Sequence, residues 1–130
     1  MEVKFLDIAR VKMIHEDSIA KNGGDFGIRD PGLLESAVLT PQQKFSGNYL
    51  HTNIYQMAAA YLFHLCKNHP FVDGNKRVAA MTAIIFLDVN GIETTATNEQ
   101  LYELVIRVAS ETIEKSEIAA FFQEHSKPTT

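Results

Sequence analysis

The sequence is short of everything that would staple it, carry it across a membrane or hold it to nucleic acid by charge. Its one cysteine, Cys66, excludes an internal disulfide, and its place in an apolar run suits a buried thiol in a reducing compartment. The longest nearly apolar run, Val78 to Leu87, is interrupted by Thr82 and falls far short of the ~20 residues that span a bilayer. The opening Met-Glu-Val-Lys-Phe-Leu-Asp lacks the charged head and apolar stretch of a signal peptide. There is no basic excess: twelve Lys and Arg stand against sixteen Asp and Glu, a net −4. Non-specific attraction to nucleic acid and a basic recognition helix are thereby excluded. The expectation is a soluble cytoplasmic protein with no membrane or direct nucleic-acid partner.

What is present is a chain of 130 residues, 45% hydrophobic and 22% charged, the size and balance of one globular domain over 1–130. Residues 1–90 carry nine basic and nine acidic side chains, so the whole negative balance falls in the last third, as a solvated acidic face. The periodicity is helical nearly throughout. Asp7 caps a first helix to about Lys21, ended by Asn22-Gly23-Gly24. Asp30-Pro31 opens a second, which stops before Pro41, and Gln42 to Asn53 read as a loop. Asn53 with Gln56 resembles a capping box for a third helix, whose inward face holds Ile54, Met57, Ala58, Tyr61 and Leu65. It must end near Asn68, because Pro70 disfavours helical geometry at His69. A fourth helix follows Gly74, with Val78, Thr82, Ile85, Phe86 and Val89 on one face, and Asn90-Gly91 closes it. Thr97 with Gln100 caps a fifth (Leu101, Leu104, Val105 and Val108 inward) and Ser116 a sixth (Ile118, Phe121 and Phe122 inward). Only Gly91 to Ala96 looks extended, and residues 126–130 should fray. The expected class is all-α, a bundle of about six helices.

The chemistry concentrates in His69-Pro70-Phe71-Val72-Asp73-Gly74-Asn75-Lys76-Arg77, between the third and fourth helices. A helix N-terminus offers unpaired N–H groups and a positive dipole end, which together form an anion site, and Gly74 lets the backbone approach a ligand closely. Lys76 and Arg77 in the first turn oppose that dipole, which makes sense if a phosphate lies between them. Asp73 is an oxygen ligand suited to Mg²⁺. His69 is the group whose ordinary pKa allows proton transfer near neutrality. Phe71 should anchor the loop in the core. The plain alternative is an ordinary interhelical turn with a solvated histidine and two solvated cations. The whole combination points instead to a nucleotide-dependent transferase.

These residues resemble the Fic/Doc signature H-x-F-x-(D/E)-G-N-(G/K)-R, matched at His69, Phe71, Asp73, Gly74, Asn75, Lys76 and Arg77. Gly27-Ile28-Arg29-Asp30-Pro31-Gly32-Leu33-Leu34-Glu35-Ser36-Ala37 further resembles the second-helix segment of the death-on-curing (Doc) branch. The resemblance implies His69 as the general base, Asp73 as the Mg²⁺ ligand, and Gly74, Asn75, Lys76 and Arg77 as binders of the ATP phosphates. It implies that a loop of Gln43, Lys44, Phe45, Ser46, Gly47, Asn48 and Tyr49 aligns the target, which could add main-chain hydrogen bonds as an extra strand. Lys76 stands where nucleotidyl-transferring Fic proteins have glycine, and Ala80 where they have a second arginine. Both departures are shared with the Doc branch, whose activity is phosphorylation of elongation factor Tu and arrest of translation. AMP transfer, and a catalytically silent partner-binding domain, are the alternatives. The family's inhibitory pattern (S/T)-x-x-x-E-(G/N) is not met: Ser110 to Glu114 is followed by Lys115, and Thr95 to Glu99 by Gln100. Restraint is therefore expected in trans, from a small antitoxin whose disordered tail folds on the toxin.

Weaker signals carry blander expectations. His64-x-Cys66-x-x-His69 has the residue types of a metal site, but positions 64 and 69 lie roughly 140° apart around a helix and do not share a face. His15 is expected as a packing or hydrogen-bonding histidine, His51 and His125 as solvated, Lys67 as a helix-end cation near the site, and Arg29 and Asp30 as fixing the second helix.

Overall fold

A computed structural model describes residues 2–129. Six helices run in the order α1 (Ile8–Asn22), α2 (Pro31–Leu39), α3 (Ile54–Asn68), α4 (Asn75–Val89), α5 (Asn98–Ala109) and α6 (Lys115–Glu124). The class is all-α, with two small antiparallel strand pairs. Local capping explains the starts. Asp7 accepts from the N–H of Arg10 at 2.8 Å, Asp30 from Leu33 at 3.0 Å with Pro31 in the first turn, and Asn53 from Gln56 at 2.9 Å. Thr97 and Gln100 form the complete reciprocal box.

The core is organised by α3. Met57, Ala58, Ala59, Ala60, Tyr61 and Leu62 are each at most 2% exposed, so this helix is enclosed on every side rather than on the single stripe its period implied. It packs against α2, α4, α5 and α6. The Tyr61 hydroxyl sits deep inside and pairs with both backbone groups of Leu6, taking its N–H at 3.0 Å and donating to its carbonyl at 3.2 Å. That ties the segment before α1 to the bundle. Burial and neighbouring charge push the Tyr61 phenol up to about 12.

Several expectations change. Ser116 does not cap α6; Glu114 does, with Glu117 completing the box, because the chain turns helical one residue before Ser116. The Asn53 box reaches one residue further back, since Gln56 accepts from the N–H of Thr52, not of Asn53. Residues 126–128 do not fray. They form β4 (Ser126–Pro128), paired with β3 (Ile92–Thr94), and Thr95 donates to the carbonyl of His125 at 2.6 Å. Thr130 lies outside the described residues. His125 is half-buried, stacked on Phe121 at 4.3 Å, not solvated. Within 42–53 the structure holds a hairpin, β1 (Lys44–Phe45) and β2 (Asn48–Tyr49), closed by Ser46 and Gly47 at φ 51 and 81. Positive φ at both central residues is the geometry that suits a two-residue hairpin. No helix among the described residues is long and apolar enough to cross a membrane.

Candidate active site

α3 ends at His69, whose backbone is left-handed at φ 52 and ψ 50, and α4 begins after Gly74, left-handed at φ 76. The six residues expected to carry the chemistry, His69, Asp73, Gly74, Asn75, Lys76 and Arg77, all line one cavity of about 590 Å³. Gly74 supplies no side-chain cap to α4, which leaves the first-turn N–H groups available to an anion. Residues 43–49 of the hairpin do not line this cavity.

The segment between α1 and α2 runs antiparallel to the loop and fixes its shape. Val72 donates to the carbonyl of Gly27 at 3.1 Å, Ile28 bridges Phe71, and Arg29 and Asp30 both donate to the carbonyl of Pro70, at 2.7 and 3.0 Å. Arg29 does more than fix the second helix. Its guanidinium reaches the end of α3, donating from Nε to the His69 carbonyl at 2.6 Å and from Nη2 to the Asn68 carbonyl at 2.9 Å. Asp30 alone keeps the expected role, as the cap of α2.

Phe71 is the expected anchor, 1% exposed. His15 lies behind it, stacked at 3.8 Å and 7° from parallel. His15 Nε2 lies 2.7 Å from the carbonyl of Asp73, an acceptor only, so the proton resides on Nε2. The carboxylate of Asp73 is exposed and accepts one backbone N–H on each oxygen, from Asp25 at 3.1 Å and Gly74 at 2.8 Å. Those two bonds, Asp25's first, hold its carboxyl below the usual range, so it is ionised at neutral pH. Arg77 donates to the carbonyls of Gly23 and Asn22 at 3.0 and 3.4 Å and keeps other guanidinium donors free. Asn75 shows a role that its motif position did not foretell. It is 4% exposed, and its carboxamide accepts from the N–H of Phe71 at 2.9 Å and donates to the carbonyl of Phe71 at 3.0 Å. Its side chain locks the loop, while its backbone N–H stands at the head of α4.

Three regions complete the cavity that the motif could not reveal: Ser18 and Asn22 from α1, Ala80 and Met81 further along α4, and Leu101 and Tyr102 from α5. Tyr102 is 66% exposed and Met81 43%, so one wall is an apolar shelf open to solvent. Lys67 does not lend free charge to the site, because Glu111 pairs with it. His64 and Cys66 take no part. His64 faces Lys115 at 3.1 Å, and Cys66 is buried with its thiol pushed up by burial. Among the described residues no three His, Cys, Asp or Glu converge as a metal cage.

Residues 5–87, well over half of the chain, match the model of the Fic/DOC family. The chain belongs to the Fic/DOC family. It is 38% identical over 100 residues to a protein of Mycolicibacterium smegmatis named Toxin Doc, covering 75% of this chain and 77% of that one. It is 31% identical over 106 residues to Protein kinase doc of Escherichia phage P1, covering 82% of each. The matched residues include the whole loop from His69 to Arg77 and the start of α4.

Proposed function

We propose that the chain is the toxin of a toxin–antitoxin pair and acts as a kinase, moving the γ-phosphoryl group of ATP to a hydroxyl of a protein, elongation factor Tu, and so arresting translation. The observation that carries the choice of reaction is the cavity wall around α4. Lys76 occupies the first turn, where a bare backbone would be needed for an α-phosphate to come close, and the methyl of Ala80 lines the wall where a second arginine would clamp terminal phosphates. The name of the phage relative, Protein kinase doc, supports the same choice.

In this reading His69 takes the proton from the target hydroxyl, whose oxygen then attacks the terminal phosphorus while ADP leaves. The N–H groups of α4, with Lys76 and the free donors of Arg77, neutralise the phosphates. Mg²⁺ fits Asp73, an ionised, solvent-facing carboxylate whose two oxygens each keep a lone pair after their backbone bonds. When bound it would screen phosphate charge. The hairpin at 44–49 pairs with no third strand among the described residues, which suits it to receive an extended target segment. The apolar shelf of Met81, Leu101 and Tyr102 suits the apolar face of a helical antitoxin tail.

Expression of the chain alone tests the toxin reading. Growth should stop, the arrest should vanish in His69→Ala, and co-expression of a small adjacent-gene product should restore growth. Normal growth with abundant soluble wild-type protein contradicts it.

A further inference from the structure

The backbone that carries His69 is held by a residue outside the motif. A helix that ends on a left-handed residue is normally locked by N–H groups just beyond it, the second of which belongs to the following residue. Here that residue is Pro70, which has no N–H. The left-handed position is moreover a histidine, not the glycine or asparagine that takes this geometry readily. α3 therefore lacks the second of those donors, and a Cβ at φ 52 carries a steric cost that glycine would not.

Arg29 supplies donors from outside the helix, to the last carbonyls of the junction. Its Nε and Nη2 meet the carbonyls of His69 and Asn68 at 2.6 and 2.9 Å, while its own N–H and that of Asp30 meet the carbonyl of Pro70 at 2.7 and 3.0 Å. Three consecutive carbonyls thus receive four donors from two residues. The two side-chain bonds need a planar fork, which arginine has and lysine lacks. The phosphate-facing end of the loop is held separately, by the Asp25 N–H on Asp73, by Asn75 on Phe71 and by His15 on the Asp73 carbonyl.

We propose that Arg29 is a positioning residue that fixes the left-handed backbone of His69 and thereby the direction of its imidazole, without contributing to nucleotide binding. The proposal rests on His69 being the base. Because the two ends of the loop are tied independently, loss of the Arg29 fork should disturb the aim of His69 and leave the phosphate cradle intact.

The test uses the full chain as wild type, Arg29→Gln and Arg29→Lys. In protein labelled with ¹³C and ¹⁵N, the His69 Cα and Cβ shifts should leave their left-handed values in Arg29→Gln and move part-way in Arg29→Lys. Shifts of α1 and of Asn75 should stay in place. In transfer assays Arg29→Gln should lower kcat by roughly 10²-fold, the usual effect of misplacing a catalytic group by about 1 Å, with KM for ATP within about twofold of wild type. Added ethylguanidinium at non-denaturing concentration should recover part of kcat. Unchanged His69 shifts in Arg29→Gln overturn the proposal, as does a KM for ATP that rises while kcat holds. Wild-type protein that transfers nothing would refute the kinase reading, and the His69 shifts would still decide the role of Arg29.

Discussion

Truncating Asn75 separates two roles that its motif position leaves entangled, a ligand contact and a loop lock. In the folded chain the carboxamide satisfies the N–H and the carbonyl of Phe71, at 2.9 and 3.0 Å, in a place where Phe71 is 1% and Asn75 4% exposed. Asn75→Ala leaves both backbone groups without a partner. Each buried unpaired group costs ~1–3 kcal/mol, and water entering the vacated space recovers part of that. Better helix propensity for alanine in the first turn of α4 returns at most ~0.7 kcal/mol. The net expectation is a loss of about 2–4 kcal/mol, a large share of the ~5–15 kcal/mol that holds a domain together but not enough to unfold it. Urea unfolding followed by far-ultraviolet circular dichroism measures this, since the chain has no tryptophan to report by fluorescence. Asn75→Asp should also be destabilised, because a second carboxylate oxygen would then face the Phe71 carbonyl. An Asn75→Ala protein with an unchanged urea midpoint and abolished transfer would refute the reasoning, because the carboxamide would then act on the ligand and not on the loop.

Tyr61→Phe should cost about 1–3 kcal/mol in the same assay, since the N–H and carbonyl of Leu6 lose their buried partner; a change below about 0.5 kcal/mol would show that water replaces the hydroxyl. Stability should also fall as pH drops from about 6.5 towards 4. His64 is pushed down to about 4 by burial, with Lys115 and His51 adding repulsion, so the unfolded chain takes up a proton that the folded chain refuses. The loss should be about 1–2 kcal/mol after screening of a partly exposed group, absent above pH 7 and reduced in His64→Gln. Stability that is flat or rising between pH 7 and 5 would contradict this. Asp73→Ala should fold normally and lose transfer together with its dependence on Mg²⁺ concentration; retained metal dependence would remove Asp73 from the metal role.

The parts of this protein that the sequence made legible are those decided within a few residues. Asp7, Asp30-Pro31 and Thr97 with Gln100 cap helices by contacts three positions away, and all three stand as expected. The junction from His69 to Arg77 was legible for the same reason, because Pro70 and Gly74 mark the end of α3 and the start of α4 within a few residues. What escaped depends on contacts between distant segments. The pairing of Ile92–Thr94 with Ser126–Pro128 joins stretches about thirty residues apart, and the tail's polar composition gave no sign of it. Tyr102 and Leu101 reach the cavity only because α5 packs beside α4. Arg29 carried no signal of its grip on His69, since nothing local relates position 29 to position 69. The hairpin did leave a trace in Ser46-Gly47, but strands of two residues are too short to show an alternating pattern. The contact of the Asn75 side chain with Phe71 escaped too, since the motif position shows only that its backbone heads α4.

The reaction itself is tested most directly by the origin of the label. Purified protein should be incubated with elongation factor Tu, Mg²⁺ and ATP labelled in either the α- or the γ-phosphate, beside a His69→Ala control. Label reaching the target from the γ-phosphate alone, with the target gaining the mass of one phosphoryl group and the control gaining none, is the predicted result. Label arriving from the α-phosphate, with the mass of a whole AMP group, would contradict it.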